Sequence, residues 1–111
     1  MKVREIKKDD VVILELSGRL TEGKDTDDLS ENINLKIDSG LKKLIFDLKK
    51  VHWIDSSGLG LLIRAYTRMQ KTGGELKLAR VTRSVNNLLQ MTKLTTVFAI
   101  HDTLDDASES F

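Results

Sequence analysis

No cysteine and no proline occur anywhere in this chain. Without thiols, neither disulfides nor thiolate metal sites are available, and a reducing compartment suits the composition. The lack of proline, with only seven glycines among 111 residues, points to regular elements and leaves no disordered linker. Aromatics are scarce: one Trp, one Tyr and three Phe, none inside a basic cluster. Neither charge sign dominates, since 18 basic residues meet 17 acidic ones for a net charge of +1. A nucleic-acid binder carries a basic excess or a clustered basic stripe, so direct nucleic-acid contact is not expected. No apolar run approaches the roughly 20 residues of a membrane helix. The stretch Met1-Lys2-Val3-Arg4-Glu5 has no apolar core of the kind a signal peptide needs. Two histidines make a poor metal site, and no cofactor is expected. The expectation is one cytoplasmic domain over residues 1–111, without membrane insertion.

Apolar periodicity fills most of the chain. Residues 2–7 alternate loosely, with Val3 and Ile6 expected to face inward. Lys8-Asp9-Asp10 signals a turn, and Val11-Val12-Ile13-Leu14 reads as a strand covered on both faces, broken at Glu15. Asp25-Thr26-Asp27-Asp28 loads negative charge where a helix starts. Leu29, Ile33 and Ile37 then recur at helical spacing, and Ser39-Gly40 supplies the stop. Leu44–Leu48 is the next buried strand, with Asp47 hydrogen-bonded near its end and Lys49 and Lys50 in solvent. Leu59, Leu62, Ile63, Tyr66 and Met69 form a helical stripe, with Arg64, Arg68 and Lys71 on another face as a candidate docking stripe for an acidic partner. Gly73-Gly74 ends that helix, and Glu75–Ala79 alternates as a strand. Thr82 or Ser84 caps a short helix carrying Val85, Leu88 and Leu89. Val97–Ile100 is the last strand, and Asp102 caps a terminal helix through Leu104, Ala107 and Phe111. The order is β-β-α-β-α-β-α-β-α: an α/β domain with a mixed, mostly parallel sheet, helices packed against it, and the first strand as an antiparallel edge.

One stretch stands apart. In Ile54-Asp55-Ser56-Ser57-Gly58-Leu59-Gly60-Leu61 an apolar run ends, an acid precedes two hydroxyls, and a helix opens. Small polar side chains thereby sit at a helix N-terminus, where unpaired N–H groups and a partial positive charge suit a phosphorylated hydroxyl. Ser56 can cap the helix while Ser57 stays reachable; alternatively Ser57 is the cap. Asp55 reads equally as a turn acid or a partner contact. Leu59 and Leu61 have two readings, core packing or an apolar contact for a partner. A dinucleotide loop would need glycine at Ile63, and a P-loop needs a Gly-Lys-Ser/Thr that is absent. The motif is not Gly-x-Ser-x-Gly, and neither His52 nor His101 has an evident orienting partner, which argues against a serine hydrolase. His52 and Trp53 read as packing or rim residues.

The order of elements, with Asp55-Ser56-Ser57-Gly58-Leu59-Gly60 before the second helix, resembles the STAS family of sulfate transporters and anti-sigma factor antagonists. Ser17-Gly18-Arg19-Leu20, Leu44–Leu48, Gly73–Leu78, Leu88–Leu94 and Phe98-Ala99-Ile100 carry the same resemblance from about Val11 to the C-terminus. It implies an anti-sigma factor antagonist without catalysis of its own. Its partner would be an anti-sigma factor of serine kinase (GHKL ATPase) type, bound while Ser57 is unphosphorylated and released on phosphorylation, with a serine phosphatase restoring binding. The implied partner-binding set is Thr21, Glu22, Asp55, Ser56, Ser57, Gly58, Leu59 and Leu61. One departure is visible: Thr21 stands where many antagonists carry an aspartate, in a loop about one residue longer, with Glu22 able to substitute in space. The alternative is a constitutive STAS adaptor subunit, as in a lipid-transport ABC complex or a stressosome-like assembly.

Overall fold

The computed structural model describes all of residues 1–111. The elements are β1 (Lys2–Lys8), β2 (Val11–Leu20), α1 (Lys24–Asp38), β3 (Lys43–Ile54), α2 (Ser56–Lys71), β4 (Glu75–Ala79), α3 (Arg83–Met91), β5 (Ala99–His101) and α4 (Leu104–Glu109). They form one five-stranded sheet in the order β1-β2-β3-β4-β5. β1 pairs antiparallel to β2, and every other pair is parallel. No helix is long and apolar enough to cross a membrane.

Because the strand order never reverses, right-handed crossovers send α1, α2 and α3 to the same face. The larger core lies there: Leu29, Ile33 and Ile37 of α1, Leu62 and Met69 of α2, and Val85 and Leu89 of α3 close over Leu14, Leu44, Phe46 and Leu78. α4 alone covers the opposite face, where Ala107 meets Val11, Ile13, Ile45 and Ala79. That face also holds a buried acid. Asp47 is 1% exposed and takes a two-pronged ion pair from Arg80, with Nε 3.0 Å from Oδ1 and Nη2 on Oδ2. Its Oδ1 also accepts the Lys49 N–H at 3.2 Å. Glu15 stands beside Asp47 in the parallel register, and both carboxylates hold the Arg80 guanidinium more firmly protonated, Asp47 by hydrogen bonding foremost.

Several elements differ from the expectations of local pattern, each for a visible reason. β2 runs on past Glu15 to Leu20 through two register shifts, and β3 runs on to Ile54 because the second half of β2 keeps pairing with it. Lys49 and Lys50 are in solvent, yet lie within the ladder. β5 begins only at Ala99, since the amides of Val97 and Phe98 are committed to the Leu94 carbonyl. Val3 is exposed, being on an edge strand. Thr103, not Asp102, caps α4 by accepting the Asp106 N–H at 3.0 Å. Thr82 occupies the N-cap position of α3, but its hydroxyl donates to the Val51 carbonyl at 2.6 Å, tying α3 to β3.

Asp47→Ala removes the acid and strands the Arg80 cation, which is about a third exposed and so partly rescued by water. The expected loss is roughly 2–3 kcal/mol, the low end for breaking a buried pair. A urea titration checks it as a lowered midpoint with an unchanged slope.

Candidate functional site

The carboxyl ends of β2 and β3 meet the start of α2 at one point. The Asp55 N–H donates to the Leu20 carbonyl at 3.3 Å, joining the two strand ends. The Asp55 side chain then turns both ways. Its Oδ1 accepts the Gly58 N–H at 2.9 Å, which caps α2, and its Oδ2 accepts the Glu22 N–H at 3.1 Å, which fixes the loop before α1. These amides, Gly58 first and Glu22 next, hold the Asp55 carboxyl below the usual carboxylate range. The cap is therefore Asp55 and not Ser56. Neither serine is needed to close the helix start. Ser56 is exposed in the first turn, and Ser57 follows it half-buried. No buried side-chain polar atom lacks a partner, so the unpaired Ser57 hydroxyl is not sealed from solvent.

Glycine is required at position 58 for a steric reason. A Cβ there would lie 2.0 Å from the Leu20 carbonyl oxygen and 2.9 Å from the Ile54 side chain. Gly60 differs, since a Cβ would meet only the Arg64 Nη1 at 3.1 Å. Gly58 is thus a junction residue beneath the site rather than part of its surface.

The expected partner-binding set divides along these lines. Thr21, Glu22, Asp55, Ser56 and Ser57 come together around the carboxylate bridge. Thr21 is half-buried and uses its carbonyl to accept the Thr26 hydroxyl, while the Glu22 side chain is exposed. Leu59 and Leu61 are corrections to the apolar-contact reading. Leu61 is 1% exposed and Leu59 is buried, both within the larger core. The cause is that α2 packs against α1 as well as the sheet, so its buried arc widens to take in Leu61 and Ala65. Ile63, assigned inward by spacing, is 38% exposed instead. The basic stripe also divides, because Arg68 bonds Asn34 and Asp38 of α1 at 2.8 Å each. Trp53 is 61% exposed two residues before the cap, which excludes a packing role. An aromatic that precedes a polar turn by two residues was the signal available for it.

None of the surface hollows is lined by Asp55, Ser56 or Ser57; the largest, about 530 Å³, lies between β1, β2 and α1 beside Lys7, Val12 and Leu35. His52 is exposed, and His101 Nε2 lies 3.3 Å from Ser110 Oγ. The site is a surface turn, hydrogen-bonded through Asp55, that offers a hydroxyl, an acid and a loop.

Residues 3–107 match the family model described as STAS domain. The chain belongs to the STAS domain family. Among its relatives, the anti-sigma F factor antagonist of Paenibacillus polymyxa is 29% identical over 97 residues, covering 83% of this chain and 79% of that protein. The crystal structure of the Thermotoga maritima protein TM1081 shares its fold at a TM-score of 0.89 and 25% identity, covering 97% of this chain and 92% of that one. The anti-sigma factor antagonist SpoIIAA in its unphosphorylated form shares it at 0.85 and 19%, covering 98% and 95%. The Bacillus SpoIIAA in the phosphorylated form gives 0.80 and 18%, covering 98% of each chain. The STAS fold places the Asp55–Ser57 turn of this domain where strand ends, loop and helix start converge.

In this STAS domain the two glycines of the turn should respond oppositely to alanine. Gly58→Ala is expected to lose roughly 3 kcal/mol or more, because backbone must move. Gly60→Ala is expected to hold or gain up to about 1 kcal/mol, because the Arg64 tip can swing aside and alanine favours the helix; chemical denaturation of the pair checks the contrast. For Asp55, the folded value is depressed, so its stabilisation is present above about pH 3.9 and is lost as pH falls through the lower folded value. The stability difference between wild type and Asp55→Asn should therefore shrink as the pH is lowered through and below about 4, which thermal melts on the acid side of neutrality would show.

Proposed function

We propose that this STAS domain is an anti-sigma factor antagonist that acts by binding and is switched at Ser57. The observation that carries the reading is the setting of Ser57: a half-buried residue with an unpaired hydroxyl on the first turn of α2, held by a cap that it does not itself supply. A side chain so placed is free to be modified without loss of the helix start. Kinship with the anti-sigma F factor antagonist of Paenibacillus polymyxa supports the role, and the two forms of SpoIIAA support a STAS fold that accommodates a phosphate.

Unmodified, the turn Asp55-Ser56-Ser57 and the loop Thr21-Glu22 present a polar face to an anti-sigma factor of the serine kinase (GHKL ATPase) type. The γ-phosphate of the kinase's ATP passes to Ser57 Oγ, the hydroxyl proton leaves, and ADP departs. The product carries about 1.5 to 2 negative charges at neutral pH. The unpaired amides and dipole at the start of α2 tolerate that charge, so the fold survives. A surface packed against Ser57 must now desolvate it, and the complex separates. A serine phosphatase hydrolyses the ester and restores binding. Thr21 in place of an acid leaves Glu22 as the carboxylate of the loop, and its exposed side chain is available to the partner.

The test is a pull-down from native cytoplasmic and membrane fractions with wild type, Ser57→Ala and Ser57→Asp as baits. Wild type and Ser57→Ala are expected to retain a GHKL-type kinase. Ser57→Asp should lose it by at least about tenfold, equivalent to roughly 1.4 kcal/mol. Its melting temperature should stay within about 2 °C of wild type. An ABC ATPase or membrane complex retained equally by all three would replace the switch with the adaptor reading.

A further inference from the structure

The three basic side chains of α2 are not equivalent. Arg68 is engaged with Asn34 and Asp38 of α1, and Lys71 lies in the last turn, at the end far from Ser57. Arg64 forms no ion pair. Its side chain runs back toward the start of the helix, as long helical side chains do. Nη1 lies 3.1 Å from the point where a Cβ on Gly60 would stand. The guanidinium therefore rests over a residue with no side chain, one turn below Ser57.

Helical phase brings Ser57 and Arg64 into line. Seven residues turn an α-helix by about 700°, within roughly 20° of two full turns, and advance it by about 10 Å. Arg64 already covers the four residues back to Gly60, which leaves about 4.5 Å of rise. On the other flank Leu61 is buried, so the only floor between the two side chains is the bare backbone at Gly60.

We infer that Arg64 is the resident counter-ion for a phosphate on Ser57, reached across Gly60. The inference rests on the reading of Ser57 as the modified residue. In the unmodified protein the guanidinium is free on the docking face. Once the phosphate is present, it is drawn into a charge-assisted pair. One modification then adds negative charge and also withdraws a cation from the surface offered to an acidic partner. Gly60 has a matching role, because any side chain there would stand in the path.

The experiment uses the full chain with phosphoserine genetically encoded at position 57, titrated by ³¹P NMR. Asp55 lies beside the phosphate in every variant and cancels in the comparison. The second ionisation of the phosphate, ordinarily near 6, is expected to rise by roughly 0.5 in Arg64→Ala relative to wild type. Lys71→Ala should leave it unchanged. Equal values in wild type and Arg64→Ala, or an equal rise in both variants, would overturn the inference. Because the phosphate is encoded and not transferred, the titration reports on Arg64 even if no kinase ever modifies Ser57. The pull-down tests that other step separately.

Discussion

The Asp55 carboxylate holds three segments of chain at one point, and the geometry of the site depends on it. One oxygen closes the first turn of α2 and the other pins the loop that leads into α1. The backbone beneath it is closer still, with the Leu20 carbonyl occupying the space that a side chain at Gly58 would need. The Gly58 amide is partly buried here, and a buried amide without a partner is costly. A single short acid removes that cost and also fixes the exposed Glu22 amide. It also leaves both serine hydroxyls free of any capping duty.

Sheet topology explains why the site is a surface. A strand order without reversal keeps α1, α2 and α3 side by side on one face, so no crevice opens between helices on opposite faces. The loops at the strand ends lie together as a shelf. Small-molecule chemistry needs a concave, water-excluding pocket, and none of the surface hollows is lined by the turn. Trp53 and Ser56 are instead exposed beside the capped turn. Across the sheet, the Asp47–Arg80 pair fixes β3 to the chain that leaves β4, so the strand ends are braced from the face that carries no site.

Charge on α2 is divided between structure and surface. Arg68 joins two helices, and Arg64 lies over a glycine with no acidic partner. Both are arginines on one helix, one turn apart, and nothing in their spacing separates them. What separates them is the neighbour: Asn34 and Asp38 of α1 bond Arg68, while no acid of α1 pairs with Arg64.

Much of this was legible in the residues. The order of elements, the antiparallel edge, the α1 stripe Leu29-Ile33-Ile37 and the position of the Asp55–Ser57 turn follow from local periodicity, glycine stops and capping chemistry, which act within a few residues. Other features needed the tertiary structure. The lengths of β2 and β3 are set by mutual pairing, which local pattern does not encode. Asp55 caps α2 through the Gly58 N–H three residues on, but only the fold brings its other oxygen the Glu22 amide, 33 residues away in sequence. The exchange of Leu61 for Ile63 on the buried face arose because α2 packs against both the sheet and α1, and a one-stripe pattern assumes a single neighbour. Local spacing therefore determined where the acid-capped double-serine turn would lie. Long-range packing decided which side chains around it are exposed, because exposure depends on what else folds against the same helix.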